Sequence, residues 1–175
     1  IVEWSQRGAF IANFLLIAPK RLDFPVQHSV HVAAISGVIG TLLELSKQEL
    51  RELVMCGLIH DIGFLPDSSE AMLSSSPPKQ MENARSHPVK GFKLLQGAAC
   101  IPKTVLYGVL QHHERCDGSG YPLGVGQDNI HRFAKIIGVA DMYELLSSGE
   151  SDLIDISPFL VIQRLKEEML GRLDP

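Results

Sequence analysis

Aromatic residues are scarce in this sequence. Phe, Tyr and Trp together make up 6% of its 175 residues, although 45% of the residues are hydrophobic. The apolar content therefore comes mainly from Leu, Ile, Val and Ala, a composition that favours helices packed on helices. No convincing pair of alternating strands is present. The sequence predicts an all-α fold, and its length suits one domain with a sizeable core.

Cysteine is also rare, and no C-x-x-C pair occurs. The three cysteines are Cys56, Cys100 and Cys116, which cannot all pair within one chain. Because neither a disulfide framework nor a redox motif is indicated, we interpret them as reduced thiols. This use of cysteine predicts a cytoplasmic protein.

A block of Lys and Arg is missing, and the net charge is -4. This charge argues against general electrostatic binding to DNA or RNA, whereas a small phosphate ligand could still be held by metal ions. A long apolar run is missing too, because residues 9–18 are interrupted by Asn13 and are too few to span a bilayer. The sequence begins at Ile1 without a Met, so we expect it to be part of a longer protein.

Hydrophobic periodicity and breaker residues predict a series of helices joined by two notable loops. The helices are expected at residues 5–17, 26–45, 47–63, 86–97, 102–114, 132–146 and 158–170. The fourth helix would start at Ser86–Pro88, since a proline is tolerated in the first turn. The loops are the Ser-rich residues 66–78 and the Gly-rich residues 117–126. We interpret residues 1–25 as a helical lead-in and 26–175 as the functional domain.

Histidine and aspartate stand together at the predicted end of an apolar helix. His60, one of seven histidines, is followed directly by Asp61. A carboxylate is disfavoured at a helix C-terminus, and the apolar residues 55–59 before it indicate burial. A buried carboxylate needs a cation. We therefore predict a metal ion at Asp61, with His60 as a neutral nitrogen ligand.

Two further places repeat this combination of residue types. His112 and His113 stand beside Glu114 at another predicted helix end, and Asp141 interrupts an otherwise apolar stripe. Imidazole and carboxylate without thiolate suit Fe, Mn, Zn and similar ions. Two such ions about 3.5–4 Å apart are the usual device for cleaving phosphate esters, and a bridging carboxylate such as Asp61 could hold them at that distance.

Five segments of the sequence resemble the HD-GYP family of HD-domain phosphohydrolases. The segments, in family order, are "HSVHVA" (28–33), "GLIHDIG" (57–63), "HPVKGFKLL" (87–95), "HHERCDGSGYP" (112–122) and "IIGVADMYELL" (136–146). The two letters of "HD" alone would be a weak signal. The eleven-residue stretch ending in "GYP", standing in the right order, is a specific one.

The resemblance implies an all-helical bundle with a buried metal centre that hydrolyses cyclic di-GMP to a linear dinucleotide, with further cleavage to GMP. It implies two divalent ions, Fe or Mn first, with Zn, Ni or Mg as alternatives. One ion would be held by His28, His60, Asp61 and Asp141, and the other by Asp61, His87, His112 and His113. His60 and Asp61 would be the catalytic residues. The expected substrate-side loop residues are Arg115, Gly118, Gly120, Tyr121 and Pro122, a loop that could also contact a signalling protein.

Four features depart from the pattern of the family. Relatives usually have Lys where this sequence has Phe64, and some have an acid where it has Phe24, which favours two ions over three. A basic stretch after the last Asp is replaced by the acidic residues 147–155. His31 stands where relatives often have Arg, so we interpret it as a packing residue behind the ligands. We interpret His131 as a loop or helix-start residue.

These departures leave three hypotheses. The first is an active phosphodiesterase for cyclic di-GMP or another cyclic dinucleotide. The second is a catalytically weak domain that senses nucleotide or metal and signals to a partner. The third is a different HD-type hydrolase acting on a mononucleotide, against which the "GYP" segment argues. The oligomeric state is not indicated by any of these patterns.

Overall fold

The structure, a computed structural model, describes residues 24–64, 77–147, 158–168 and 171–173. Six α-helices lie in these ranges: α1 (Phe24–Leu42), α2 (Lys47–Ile59), α3 (Pro77–Leu95), α4 (Lys103–Gln111), α5 (Arg132–Ser147) and α6 (Pro158–Glu168). Two 3-10 turns, Ile62–Phe64 and Gln127–Asn129, complete the regular structure. No strand occurs in the described residues, so the all-α prediction is confirmed.

The sequence locates most helices to within a few residues. Helix α2 begins where predicted because Ser46 and Glu49 form a capping box: the Ser46 hydroxyl accepts from the Glu49 amide, and the Glu49 carboxylate accepts from the Ser46 amide. The same helix ends at Ile59, earlier than expected, and leaves Asp61 beyond its last turn. The predicted helix at 5–17 and most of the predicted 66–78 loop lie outside the described residues.

The prediction for helix α3 is wrong at its start. The helix begins at Pro77, not at Ser86–Pro88, and Pro88 lies inside it and is buried. The usual inference that a proline marks a helix start rests on its missing N–H. Here the His87 side chain replaces that missing donor, because its Nδ1 bonds to the Ala84 carbonyl.

The core is formed where α1, α2, α4 and α5 pack together. Its most buried apolar residues, each 0% exposed, are Val32, Leu53, Cys56, Val105, Val109, Ile137 and Ala140. Gly57 permits the close crossing of α1 and α2, because a Cβ there would lie 2.7 Å from the Ala33 Cα. This crossing brings the first turns of α1 near the end of α2, where two of the predicted ligands stand.

The segment between α4 and α5 is an irregular loop held by buried polar side chains. Glu114 accepts hydrogen bonds from the backbone amides of Leu123 (2.6 Å) and Val125 (3.1 Å). A Cβ on Gly120 would lie 2.3 Å from the Arg115 amide nitrogen, so only glycine fits there. The predicted Gly-rich loop is therefore a packed structure. Among the helices of the described residues, none is both long and apolar enough to cross a membrane.

Candidate metal centre

The seven predicted metal ligands meet in two neighbouring groups. The first group consists of His28, His60 and Asp141, and the second consists of Asp61, His87, His112 and His113. Within each group the potential ligand atoms all lie within 4.8 Å of one another. No other cluster of three or more such residues is found in the described parts of the chain.

The first group is buried between three helices. The His28 Nε2 lies 3.3 Å from the His60 Nε2 and 3.3 Å from the Asp141 Oδ1. The three residues are 4%, 0% and 3% exposed. Their position on α1, at the end of α2 and on α5 means that helix packing, and not a local motif, creates the group.

The second group lies where α3 and the end of α4 face the turn after α2. The His87 Nε2 and the His112 Nε2 are 3.0 Å apart, and both residues are at most 1% exposed. The His113 ring lies 5.0 Å from the His87 ring, centroid to centroid. His113 is only partly buried, so this group is more open than the first.

Asp61 stands between the two groups and presents one oxygen to each. Its Oδ2 lies 3.4 Å from the His60 Nε2 and 3.7 Å from the His28 Nε2. Its Oδ1 lies 3.1 Å from the His87 Nε2 and 3.5 Å from the His112 Nε2. This division of the two oxygens is what a carboxylate bridging two ions requires.

Three of the histidines are oriented by the same kind of hydrogen bond. The Nδ1 of each bonds to the carbonyl three residues earlier: His60 to Gly57 (2.8 Å), His112 to Val109 (2.8 Å) and His87 to Ala84. A carbonyl can only accept, so the Nδ1 carries the proton and the Nε2 carries a lone pair. The Nε2 atoms of His87 and His112 therefore face each other as acceptors. A cation between them stabilises this arrangement. The residues present fit a metal ion.

The sequence explains why these carbonyls are available. Gly57 and Val109 lie in the last turns of α2 and α4, where helical carbonyls lack helical donors. Ala84 lies inside α3, but its helical donor would be residue 88, and Pro88 has no N–H. The His87 side chain supplies the missing donor. The His-Pro pair thus orients a predicted ligand within a helix, a role that helix-start rules do not predict.

His28 is oriented by a carboxylate that sequence reasoning missed. The Glu144 Oε2 lies 2.5 Å from the His28 Nδ1, and the Glu144 Oε1 lies 3.3 Å from the His31 Nδ1. Glu144 is 5% exposed and stands one helical turn after Asp141 on α5. That spacing of three residues was the available signal, because it puts both carboxylates on one face. His31 lies behind the predicted ligands, in contact with Glu144, where it was expected.

The electrostatics of the two groups differ. Burial lowers the pKa of His28, but hydrogen bonds with Asp141 and Glu144 outweigh it and raise the pKa to about 10. Burial lowers the pKa of His60 to about 4, which leaves that ring neutral. Burial and the neighbouring His112 and His87 also hold the pKa of His113 far below its usual range. Although burial opposes it, the close approach of the His112, His87 and His60 rings holds the pKa of Asp61 well below its ordinary value.

The loop residues predicted on the substrate side have two kinds of surroundings. Tyr121 stacks on the His113 ring at 4.7 Å and 25°, and the Arg85 guanidinium lies 5.5 Å from the Tyr121 centroid. Arg115 instead donates to the backbone carbonyl of Glu114 (2.9 Å). A cis peptide joins Tyr121 to Pro122. The remaining predicted loop residues are glycines: Gly118, with a φ of 78°, and Gly120. Arg85 was not among the predicted residues.

Phe64 and His131, both noted in the sequence, lie in different surroundings: Phe64 contacts a predicted ligand, and His131 stands at the start of a helix. Phe64 stacks on the His87 ring, with centroids 4.0 Å apart and an interplanar angle of 20°, while 54% of the residue stays exposed. His131 precedes α5, and its Nδ1 accepts from the Phe133 amide. His131 thus has the helix-start position expected for it, whereas the contact between Phe64 and a predicted ligand was not expected.

This chain is similar in sequence to the HD domain family and to phosphodiesterases that act on cyclic dinucleotides. The HD domain family matches residues 14–175. The cyclic di-GMP phosphodiesterase PA4108 of Pseudomonas aeruginosa is 33% identical over 155 residues, covering 87% of this chain and 37% of that protein. The 3'3'-cGAMP-specific phosphodiesterase 3 of Vibrio cholerae is 29% identical over 148 residues, covering 79% and 30%. The chain therefore spans about a third of the length of these curated relatives.

A solved structure shares the fold. Bd1817, an HDG"Y"P protein from Bdellovibrio bacteriovorus, matches with a TM-score of 0.69 at 21% sequence identity. The match covers 86% of this chain and 48% of the other. At this level of identity the likeness establishes the helical architecture alone.

Proposed function

This chain belongs to the HD domain family, with motifs of the HD-GYP type, and on that premise we propose that it is a metal-dependent phosphodiesterase acting on a cyclic dinucleotide. Cyclic di-GMP is the first substrate to test, because a relative of 33% identity carries that activity in its name. The product is a linear dinucleotide, with cleavage to GMP as a further step.

The division of the Asp61 oxygens between two histidine groups is the observation that carries this proposal. Nitrogen and oxygen ligands without thiolate favour Fe or Mn, with Zn, Ni or Mg as alternatives. Two such ions would neutralise phosphoryl oxygens and lower the pKa of a water molecule. We propose that Asp61 spaces the two positions and that His60, neutral and buried, acts beside it as the second catalytic residue.

The remaining residues orient the ligands and shape the substrate side. Backbone carbonyls and Glu144 point the imidazole Nε2 atoms inward before any ion binds, which reduces the reorganisation that binding requires. The loop held by Glu114 carries Tyr121 against His113 and forms the substrate-side wall. The same loop is our proposed contact for a signalling protein. We also propose a cytoplasmic location, in keeping with the few cysteines of the sequence and the lack of a C-x-x-C pair.

A second function, a catalytically weak domain that binds a cyclic dinucleotide as a signal, is favoured by one observation. Phe64 stands where relatives usually have Lys, and a phenyl ring cannot stabilise charge on a phosphate. If the lack of a Lys at this position decides the rate, the domain binds metal and nucleotide but hydrolyses the nucleotide slowly. The two functions differ in turnover at saturating metal, and not in the metal centre itself.

The test is hydrolysis of cyclic di-GMP by the purified chain loaded with Mn or Fe. Asp61→Ala is the disabling variant, and Asp128→Ala, an exposed acid outside both groups, is the matched control. We expect turnover to fall more than about 100-fold in the first variant, beyond the usual cost of losing a supporting residue, and to persist in the second.

Other results would revise the proposal. Two bound ions without turnover, but with nucleotide binding, would support the sensor function. A chain that binds neither metal nor nucleotide would contradict both functions. Turnover of another cyclic dinucleotide in preference to cyclic di-GMP would keep the reaction and change the substrate.

A further inference from the structure

Phe64 is an exposed aromatic ring in direct contact with the second metal group. One face of its ring stacks on His87 at 4.0 Å, and 54% of the residue is exposed. Of the three phenylalanines whose side chains the structure describes, Phe133 is 3% exposed and Phe92 is intermediate, so Phe64 alone is open to solvent. Singly exposed hydrophobic side chains are common, so it is the stack on His87, a predicted metal ligand, that distinguishes this ring.

The backbone fixes the position of this ring. The Phe64 amide donates to the Asp61 carbonyl (2.9 Å), closing the 3-10 turn that follows the bridging carboxylate. A Cβ at Gly63 would lie 2.0 Å from the His87 carbonyl oxygen, so the turn packs directly on α3. The ring is therefore held beside His87 by a tight backbone contact, and its outer face is presented from a rigid element.

The chemistry of the ring limits what it can bind. A phenyl ring has no charge and no donor, so it cannot hold the phosphate that the metal groups would receive. Its free face can stack on a flat π-system, and nucleobases stack on aromatic side chains in many nucleotide sites. A cyclic dinucleotide with one phosphate at the metal centre carries its bases within a few bonds of that phosphate.

We propose that Phe64 is a substrate-specificity residue that stacks on a nucleobase of the cyclic dinucleotide while its other face rests on His87. This inference rests on the proposed function. It replaces the charge contact expected from Lys with a contact to the base, so recognition shifts from phosphate to nucleobase. Phosphate charge is then left to the metal ions and to cations such as Arg85 near the His113–Tyr121 stack.

The test compares Phe64→Leu, Phe64→Trp and a control, Tyr107→Leu. Tyr107 is likewise exposed and stacks on a histidine, His131, that belongs to neither metal group. Loss of a base stack in Phe64→Leu should raise KM for the cyclic dinucleotide at least about fivefold, with a smaller effect on kcat. Phe64→Trp should restore KM, and the control should leave it unchanged.

Metal content separates base recognition from a role in covering His87. If Phe64 only shields His87, Phe64→Leu loses bound metal and kcat together, and the inference is overturned. If the wild-type chain cleaves the dinucleotide and Phe64→Leu keeps the same KM, the inference fails while the proposed function stands. If the wild-type chain binds metal but neither cleaves nor binds a cyclic dinucleotide by calorimetry, both fail.

Discussion

The two groups of predicted metal ligands both face Asp61, but their surroundings differ. The first is closed: its three residues are at most 4% exposed, and Glu144 adds a second buried carboxylate behind His28. The second is open: Asp61 has a 27% exposed side chain, and Phe64 and Tyr121 line its histidines. We infer that the first group is built to retain an ion and the second to meet substrate.

The largest effect should come from removing the metal ions. Chelation should abolish phosphodiester cleavage and lower the melting temperature, since a ligand at about 100 times its Kd adds about 2.7 kcal/mol to the free energy of unfolding. Because the first group carries more buried negative charge, we expect it to release its ion last. Metal analysis during dialysis should then show a plateau near one ion per chain.

Loss of both ions in a single step would contradict the expected difference in metal retention between the two groups, because it would mean that neither group holds an ion alone. Unchanged cleavage after complete metal removal would contradict the proposed function itself. Re-addition of Mn to the stripped chain serves as the control for irreversible unfolding.

The next largest effect should follow from Glu144→Gln. The amide keeps the size of the side chain but removes the charge that orients and supports His28, so metal affinity of the first group should fall about 10- to 100-fold. The second group should be unaffected. Equilibrium dialysis at limiting metal measures this, with Glu167→Gln on an exposed face of α6 as the matched control. An equal loss at both groups would show that Glu144 supports the fold and not one site.

A pH dependence should also distinguish the groups. Without metal, the pKa of His28 is raised to about 10, so its Nε2 must lose a proton before an ion binds. Affinity of the first group should therefore rise about tenfold per pH unit as pH increases toward that pKa. His113, whose pKa is strongly lowered, has no proton to release at neutral pH. Calorimetry in buffers of different ionisation enthalpy measures the protons released.

The stability of the metal-free chain should change with pH in the opposite direction to its metal affinity: it should fall as pH rises. A raised pKa means that the folded, metal-free chain binds a proton more tightly than the unfolded chain does. The contribution of His28 to the free energy of unfolding is present below its ordinary pKa of 6.5 and is lost as pH rises through about 10. Metal-free chain should thus melt at lower temperature as pH rises, and an opposite trend would contradict the carboxylate environment assigned to His28.

The sequence was sufficient for the features that depend on local pattern. Composition indicated helices, Ser46 and Glu49 marked the start of α2, and motif order identified the ligand residues that the fold brings together. Their role in binding metal stays a prediction. The contacts of Glu144 and Phe64 were missed because their partners, His28 and His87, lie on other helices. The start of α3 was missed because a side chain replaces the hydrogen bond that Pro88 cannot make.

The smallest effect should come from Arg85, which belongs to the open side alone. Its guanidinium lies over Tyr121 and is solvent-exposed, a geometry worth about 0.5–1 kcal/mol. Arg85→Met should raise KM for a cyclic dinucleotide about threefold and weaken the dependence of KM on salt, because an exposed cation acts through a screened field. Metal content should stay at the wild-type value. Arg132→Met, which removes an exposed guanidinium at the start of α5, is the control. A loss of metal in Arg85→Met would place this residue with the ligand supports and remove the distinction between a closed, retaining group and an open, substrate-facing one.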